Sequence, residues 1–84
     1  MIPDDVIKKF EEGRAWAGAN QTMRLIDSNE AKIVLIADDV QPEEIVKPIK
    51  LAVTKNGIEH YFATKKEIAK IVKCPRPASA ACLV

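Results

Sequence analysis

Five consecutive apolar residues, Ile33-Val34-Leu35-Ile36-Ala37, sit near the middle of an 84-residue chain with polar residues on either side. A β-strand turns successive side chains to opposite faces, so a run without a polar position requires both faces to be covered. Five residues are too few for a buried helix, and the flanks Asn29-Glu30 and Asp38-Asp39 supply turn chemistry. The run therefore predicts a central strand with a layer packed on each side. A chain of this length has room for one core and buries only about 60–65% of its unfolded surface. One domain over residues 1–84 is the expected organisation.

The rest of the chain supplies the layers. Pro3-Asp4-Asp5 opens a helix, with proline near the first turn and carboxylates at the positive end of the dipole. Ile2, Val6 and Phe10 form its inner face, and Gly13 ends it. A short segment around Trp16 reads as an edge strand. A second helix is predicted from Asn20 to Asp27, with Met23 and Ile26 inward, then a turn at Asp27-Ser28-Asn29. Pro42 opens a third helix whose stripe is Ile45, Ile49, Ala52 and Val53, with a kink or break at Pro48 and a stop at Asn56-Gly57. Ile58 to Ala63 reads as a strand, and Thr64 caps a helix from Lys65 to Lys73 with Ile68, Ile71 and Val72 inward. Pro75-Arg76-Pro77 forms a stiff loop, and Ala80 to Val84 closes the chain as a strand. Helices alternate with strands throughout, so the expected fold is α/β, a three-layer α/β/α sandwich around a mixed four-stranded sheet.

Charge limits what such a domain does. Thirteen Lys+Arg stand against twelve Asp+Glu, a net charge of +1, so no global basic field draws in nucleic acid and a nonspecific coat on duplex DNA is excluded. Cys74 and Cys82 with His60 fall short of the four closely paired ligands of structural zinc, so no metal is expected, and Cys82 reads as a small core residue. Free thiols, the missing signal-peptide pattern and the missing membrane-length apolar run point to a cytoplasmic protein without membrane attachment. Catalysis has little support. His60 has no serine nucleophile near it, Asp38 and Asp39 point to opposite faces and read as capping and turn residues before the Pro42 helix, and the glycines form no phosphate loop. The chain reads as a non-enzyme with no cofactor.

Recognition chemistry concentrates in Gly18-Ala19-Asn20-Gln21-Thr22-Met23-Arg24. Glycine admits close approach of a partner to the backbone, and a helix start presents open N–H groups and a positive dipole end suited to phosphate. Asn20 and Gln21 carry paired donors and acceptors that match base edges, and Arg24 forks onto phosphate or guanine. Each also has a plain structural role: Asn20 as a helix N-cap, Arg24 and Lys66 as solvated charges, Ile45 as part of a buried stripe, Pro77 and Ala78 as loop and core.

These segments together resemble the kink-turn RNA-binding family that includes the archaeal large-subunit ribosomal protein "L-seven-Ae", the primary box C/D ribonucleoprotein core protein and small bacterial kink-turn binders. The carriers are Gly18-Ala19-Asn20-Gln21-Thr22, Ile36-Ala37-Asp38-Asp39-Val40-Gln41-Pro42 with Glu44-Ile45-Val46, Lys55-Asn56, Lys66-Glu67, and Arg76-Pro77 leading to Ala80-Ala81-Cys82. The resemblance implies a structured RNA partner: a duplex bent by a three-nucleotide bulge beside sheared G·A pairs. It implies that Asn20 and Gln21 bond guanine edges, Arg24 contacts guanine or backbone, and Gly18 and Ala19 approach phosphate at the helix start. It further implies that Gln41, Ile45 and Lys66 face an extruded nucleotide, with Arg76, Pro77 and Ala78 closing over it. A ribosomal or ribonucleoprotein setting and a monomer follow from the same likeness. The chain departs from it at Ala17 and Ser28-Asn29, where the family often carries basic groups, and in having Gln21 and Arg24 for the commoner Glu and Lys. The competing reading is a protein-interaction module on the same fold that does not read RNA.

Overall fold

A computed structural model describes residues 2–84. Helix α1 spans Asp4–Glu12, behind Pro3 and with Asp4 and Asp5 in its first turn, and it buries Val6 and Phe10. Its C-cap is Gly13, whose N–H bonds the Lys9 carbonyl, and a side chain is crowded out there: a Cβ would stand 2.8 Å from Leu83 Cδ1 and 3.0 Å from that carbonyl. Strand β1 (Ala15–Ala17) leads into α2 (Ala19–Asp27), and Asn29 turns the chain at a positive φ of 63°. Strand β2 (Ile33–Ala37) follows, then a 3-10 turn (Glu43–Ile45), α3 (Lys47–Asn56) and β3 (Glu59–Ala63). Helix α4 (Lys65–Ile71) and β4 (Ala80–Leu83) complete the order.

The sheet runs β1-β4-β2-β3. The β2–β3 pair is parallel, while β4 is antiparallel to both β1 and β2, which makes the sheet mixed. Strand β2 is buried along its whole length, as an apolar run covered on both faces must be. Helices α2 and α3 pack together on one face, and α1 and α4 pack together on the other. The core runs through both interfaces and includes Leu25, Ile26, Val34 to Ile36, Ile49, Val53, Ile68 and Ala80 to Cys82.

Three local expectations change. The segment after Pro42 is two elements: a 3-10 turn ends at Ile45, and α3 begins at Lys47 with Pro48 in its first turn. Starting a new helix there places the proline where no intrahelical N–H is needed, avoiding a mid-helix break. The break also rotates Ile45 off the stripe, so Val46 is buried at 1% exposure while Ile45 is 45% exposed. Asp39 caps a different helix from the one expected, since its Oδ1 accepts from the Lys65 N–H at 2.9 Å, at the start of α4. Helix α2 begins one residue early with Gly18 as N-cap, so Asn20 lies inside the first turn and does not cap it. Where expected, Thr64 caps α4 through a reciprocal capping box with Glu67, and Gly57 ends α3 at φ 62°, ψ 35°.

Candidate nucleic-acid interface

The strand register gathers the chosen residues at one end of the sheet. Ala17 pairs with Ala81, Ile36 with Ala80, and Ala37 with Ala63. One row further out, Gly18 donates to the Ala80 carbonyl at 2.8 Å, Ala37 to Ser79 at 2.8 Å, and Asp38 to Ala63 at 2.9 Å. The β1–α2, β2–α3, β3–α4 and α4–β4 connections all meet at this end. The first carries Gly18, Ala19, Asn20, Gln21 and Arg24; the second carries Gln41 and Ile45. Lys66 follows the third, and Arg76, Pro77 and Ala78 lie on the fourth. Segments separated by up to sixty residues thus share one surface because mixed pairing returns β4 beside both β1 and β2.

The start of α2 is built for close approach. Gly18 holds φ 110° and ψ 143°, a conformation that side-chain-bearing residues rarely adopt. Its N–H is fixed by Ala80, and its carbonyl accepts from both the Thr22 N–H (3.0 Å) and the Thr22 hydroxyl (2.7 Å). The N–H groups of Ala19, Asn20 and Gln21 precede the first intrahelical bond and point out of the helix end. No acidic residue occupies this first turn, whereas α1 has Asp4 and Asp5 in its own. The positive end of the α2 dipole is therefore left for an external anion. Asn20 and Arg24, one turn apart, are both exposed, and Gln21 is half-buried.

Across the sheet end, Lys66, Lys70, Cys74, Arg76 and Pro77 border a cleft of about 410 Å³ between α4 and the α4–β4 loop. Lys66, Arg76 and Pro77 are exposed. Ala78 is different: at 5% exposure its side chain belongs to the core, and its N–H is directed at the Lys65 carbonyl (3.4 Å). Ala78 has only its backbone to offer a ligand. Acidic groups flank the other side, where Asp39 is engaged on Lys65 and Glu43 pairs with Lys50 at 3.5 Å. Gln41 is exposed beside them. His60 lies on edge strand β3, with Nδ1 2.8 Å from the Ile58 carbonyl and its ring edge-on to Phe62.

Two residues of this region escape a reading by composition. Thr22 is polar yet fully buried, and its hydroxyl donates to the Gly18 carbonyl. Its position three and four residues before Leu25 and Ile26 was the available signal. Desolvation pushes the Cys82 thiol up to about 11, with the Thr22 hydrogen bond opposing it. Trp16, on edge strand β1, is 42% exposed. Among the described residues no group of three His, Cys, Asp or Glu side chains is placed to hold a metal ion, and no helix is long and apolar enough to cross a membrane.

The molecule falls in the class of small α/β/α sandwiches that carry amide, apolar and cationic groups on the loops at one end of a mixed sheet. The model of the ribosomal protein L7Ae/L30e/S12e/Gadd45 family matches residues 4–84, and the chain belongs to that family. Among solved structures it is similar to the 15.5kD RNA binding protein of Giardia lamblia, at 25% identity and a TM-score of 0.80. The match covers 93% of this chain and 66% of that one, so the chain spans just under two thirds of its neighbour's length.

Proposed function

We propose that this chain is an RNA-binding component of a ribonucleoprotein that recognises kink-turn RNA and holds it in its bent form. The observation that carries the reading is the α2 start. Three open N–H groups, an acid-free first turn and the exposed Asn20 and Arg24 lie on a backbone pinned by Gly18, at the same sheet end as Ile45, Lys66 and Arg76. Family membership and the RNA-binding neighbour support it.

In this reading α2 enters the groove widened by sheared G·A pairs. Asn20 and Gln21 bond the exposed guanine edges, and Arg24 holds guanine or the adjoining phosphate through its fork. Phosphate seats on the Ala19 to Gln21 N–H groups. Ile45, Gln41 and Lys66 meet a nucleotide turned out of the stack, a mode suited to RNA, whose deep groove is otherwise closed to side chains. Binding then populates the kinked form in proportion to the protein's preference for it. The reading assigns the chain no catalytic step and needs no cofactor.

The test is a titration of a kink-turn duplex labelled at both ends, following energy transfer, beside a duplex whose G·A pairs are replaced by Watson–Crick pairs. Submicromolar folding of the first alone is expected. Asn20→Ala and Arg24→Ala should each weaken binding by about 1–3 kcal/mol, with the melting temperature nearly unchanged. Equal weak binding to both duplexes would reject kink-turn recognition and leave a protein partner as the reading to pursue.

A further inference from the structure

We infer that Trp16 extends the RNA site as a stacking platform for a nucleobase on the open flank of α2, an inference that rests on the RNA-binding reading above. Trp16 lies two residues before Gly18, about 7 Å along an extended strand, so it borders the helix start directly. Its register partner is Cys82. Paired residues of neighbouring strands share a face, so Trp16 and Cys82 lie on the face of Val34, Ile36 and Phe62, and the Phe62 ring lies under Lys50 of α3, the helix packed beside α2. The indole therefore stands on the α2 side of the sheet. On that side α3 packs against α2 and lies over β2, while α2 also packs on β4 and β1. With β1 at the sheet edge, Trp16 occupies the flank of α2 away from α3.

A tryptophan with 42% of its surface in water keeps a large apolar face outside the core, and no fold requirement of a three-residue edge strand explains it. Of the other exposed large apolar side chains, Leu51 and Phe62 lie on α3 and β3, across the sheet from this flank. The adjoining Ala17 contributes no charge, so a strand of RNA passing Gly18 meets an aromatic plane beside an uncharged position. Aromatic planes bind nucleotides through the π-face every base presents, without regard to sequence. Trp16 would accordingly add affinity but little specificity, beside the specific contacts of Asn20 and Gln21.

Trp16 is the chain's one tryptophan, so its fluorescence reports on this position alone. The full chain is titrated with the kink-turn duplex labelled at both ends, and indole emission is recorded beside the energy transfer that reports kinking. Quenching that saturates with kinking is expected. Trp16→Ala should weaken binding roughly five- to tenfold, the lower part of the range for base–aromatic stacking, with the salt dependence of binding unchanged. Trp16→Phe should recover most of the loss. If the duplex kinks normally while emission is unmoved and Trp16→Ala binds as tightly as the parent, the platform is wrong and RNA recognition stands. If the parent chain does not kink the duplex, both readings fall. Because quenching is read on the unaltered chain, poor folding of a variant leaves the test decisive.

Discussion

Single side chains in this molecule divide cleanly by where the backbone sends them. Asn20 and Arg24 follow one another at a helical turn and face water, while Thr22 between them faces the sheet. That alternation gives α2 an open edge and an anchored edge from five consecutive residues. The anchored edge has a measurable signature in Cys82, fully buried on β4, whose thiol is pushed up to about 11 by desolvation. A thiol that resists ionisation when folded but ionises near 8.5 when unfolded favours the native state below the lower value. That contribution is lost as pH rises from about 9 to about 11, at up to about 1.4 kcal/mol for each unit of difference. Unfolding free energies measured across this range for the parent and for Cys82→Ala should therefore converge as pH rises. Parallel curves would mean that the thiol ionises in the folded state without penalty. Reaction with a thiol reagent should likewise modify the half-buried Cys74 well before Cys82.

At the scale of elements, the start of α2 depends on two devices that hold one peptide. Gly18 supplies a backbone conformation reserved in practice for glycine, and Thr22 supplies a second donor to its carbonyl. Nothing lies within 4 Å of a Cβ built at Gly18, so Gly18→Ala carries conformational strain without a clash. The expected cost is about 1–3 kcal/mol. Thr22→Val keeps the shape and removes the hydroxyl; because the Gly18 carbonyl retains the Thr22 N–H, the loss should be about 1 kcal/mol. Denaturant unfolding checks both, and a Gly18→Ala variant as stable as the parent would show that the helix start relaxes to another conformation. The same elements show what sequence conveys. The apolar run of β2, the capping box at Thr64 and the glycine stop at Gly57 act within a few residues, and the sequence carries them openly. The 3-10 turn was hidden because Ile45 and Ile49 keep helical spacing across a break that Pro48 moves into a new first turn. Asp39 capping Lys65 is a contact across 26 positions, which no local pattern encodes. The motif residues of the candidate site were legible in the sequence. Their shared placement, the withdrawal of Ala78 into the core and the exposure of Trp16 depend on sheet order and register, which only the folded chain displays.

For the molecule as a whole, a net charge of +1 on a body of 27 × 26 × 20 Å supplies no global basic field to draw in a duplex. The proposed function therefore rests on a small number of cations at one end of the sheet, with exposed acidic residues such as Asp38 and Glu44 at its border. Of the exposed cations near this end, Arg24, Lys66 and Arg76 are the three that the proposed function places on RNA. If each neutralises one phosphate, the logarithm of the binding constant should fall with the logarithm of salt concentration with a slope of about −2 to −3, at roughly 0.7–0.9 per contact. Kink-turn titrations at several potassium chloride concentrations measure that slope directly. Changing Lys66 or Arg76 to Gln should flatten it by about one contact's worth each, whereas Trp16→Ala should lower affinity at every salt concentration by the same factor. A slope steeper than about −6 would imply phosphates gripped by the lysines of α1 and α3 as well, a coating mode that the near-neutral surface argues against. A slope near zero would mean that the cations at the sheet end do not meet the RNA backbone. Affinity would then have to arise from base edges, stacking and the α2 dipole alone.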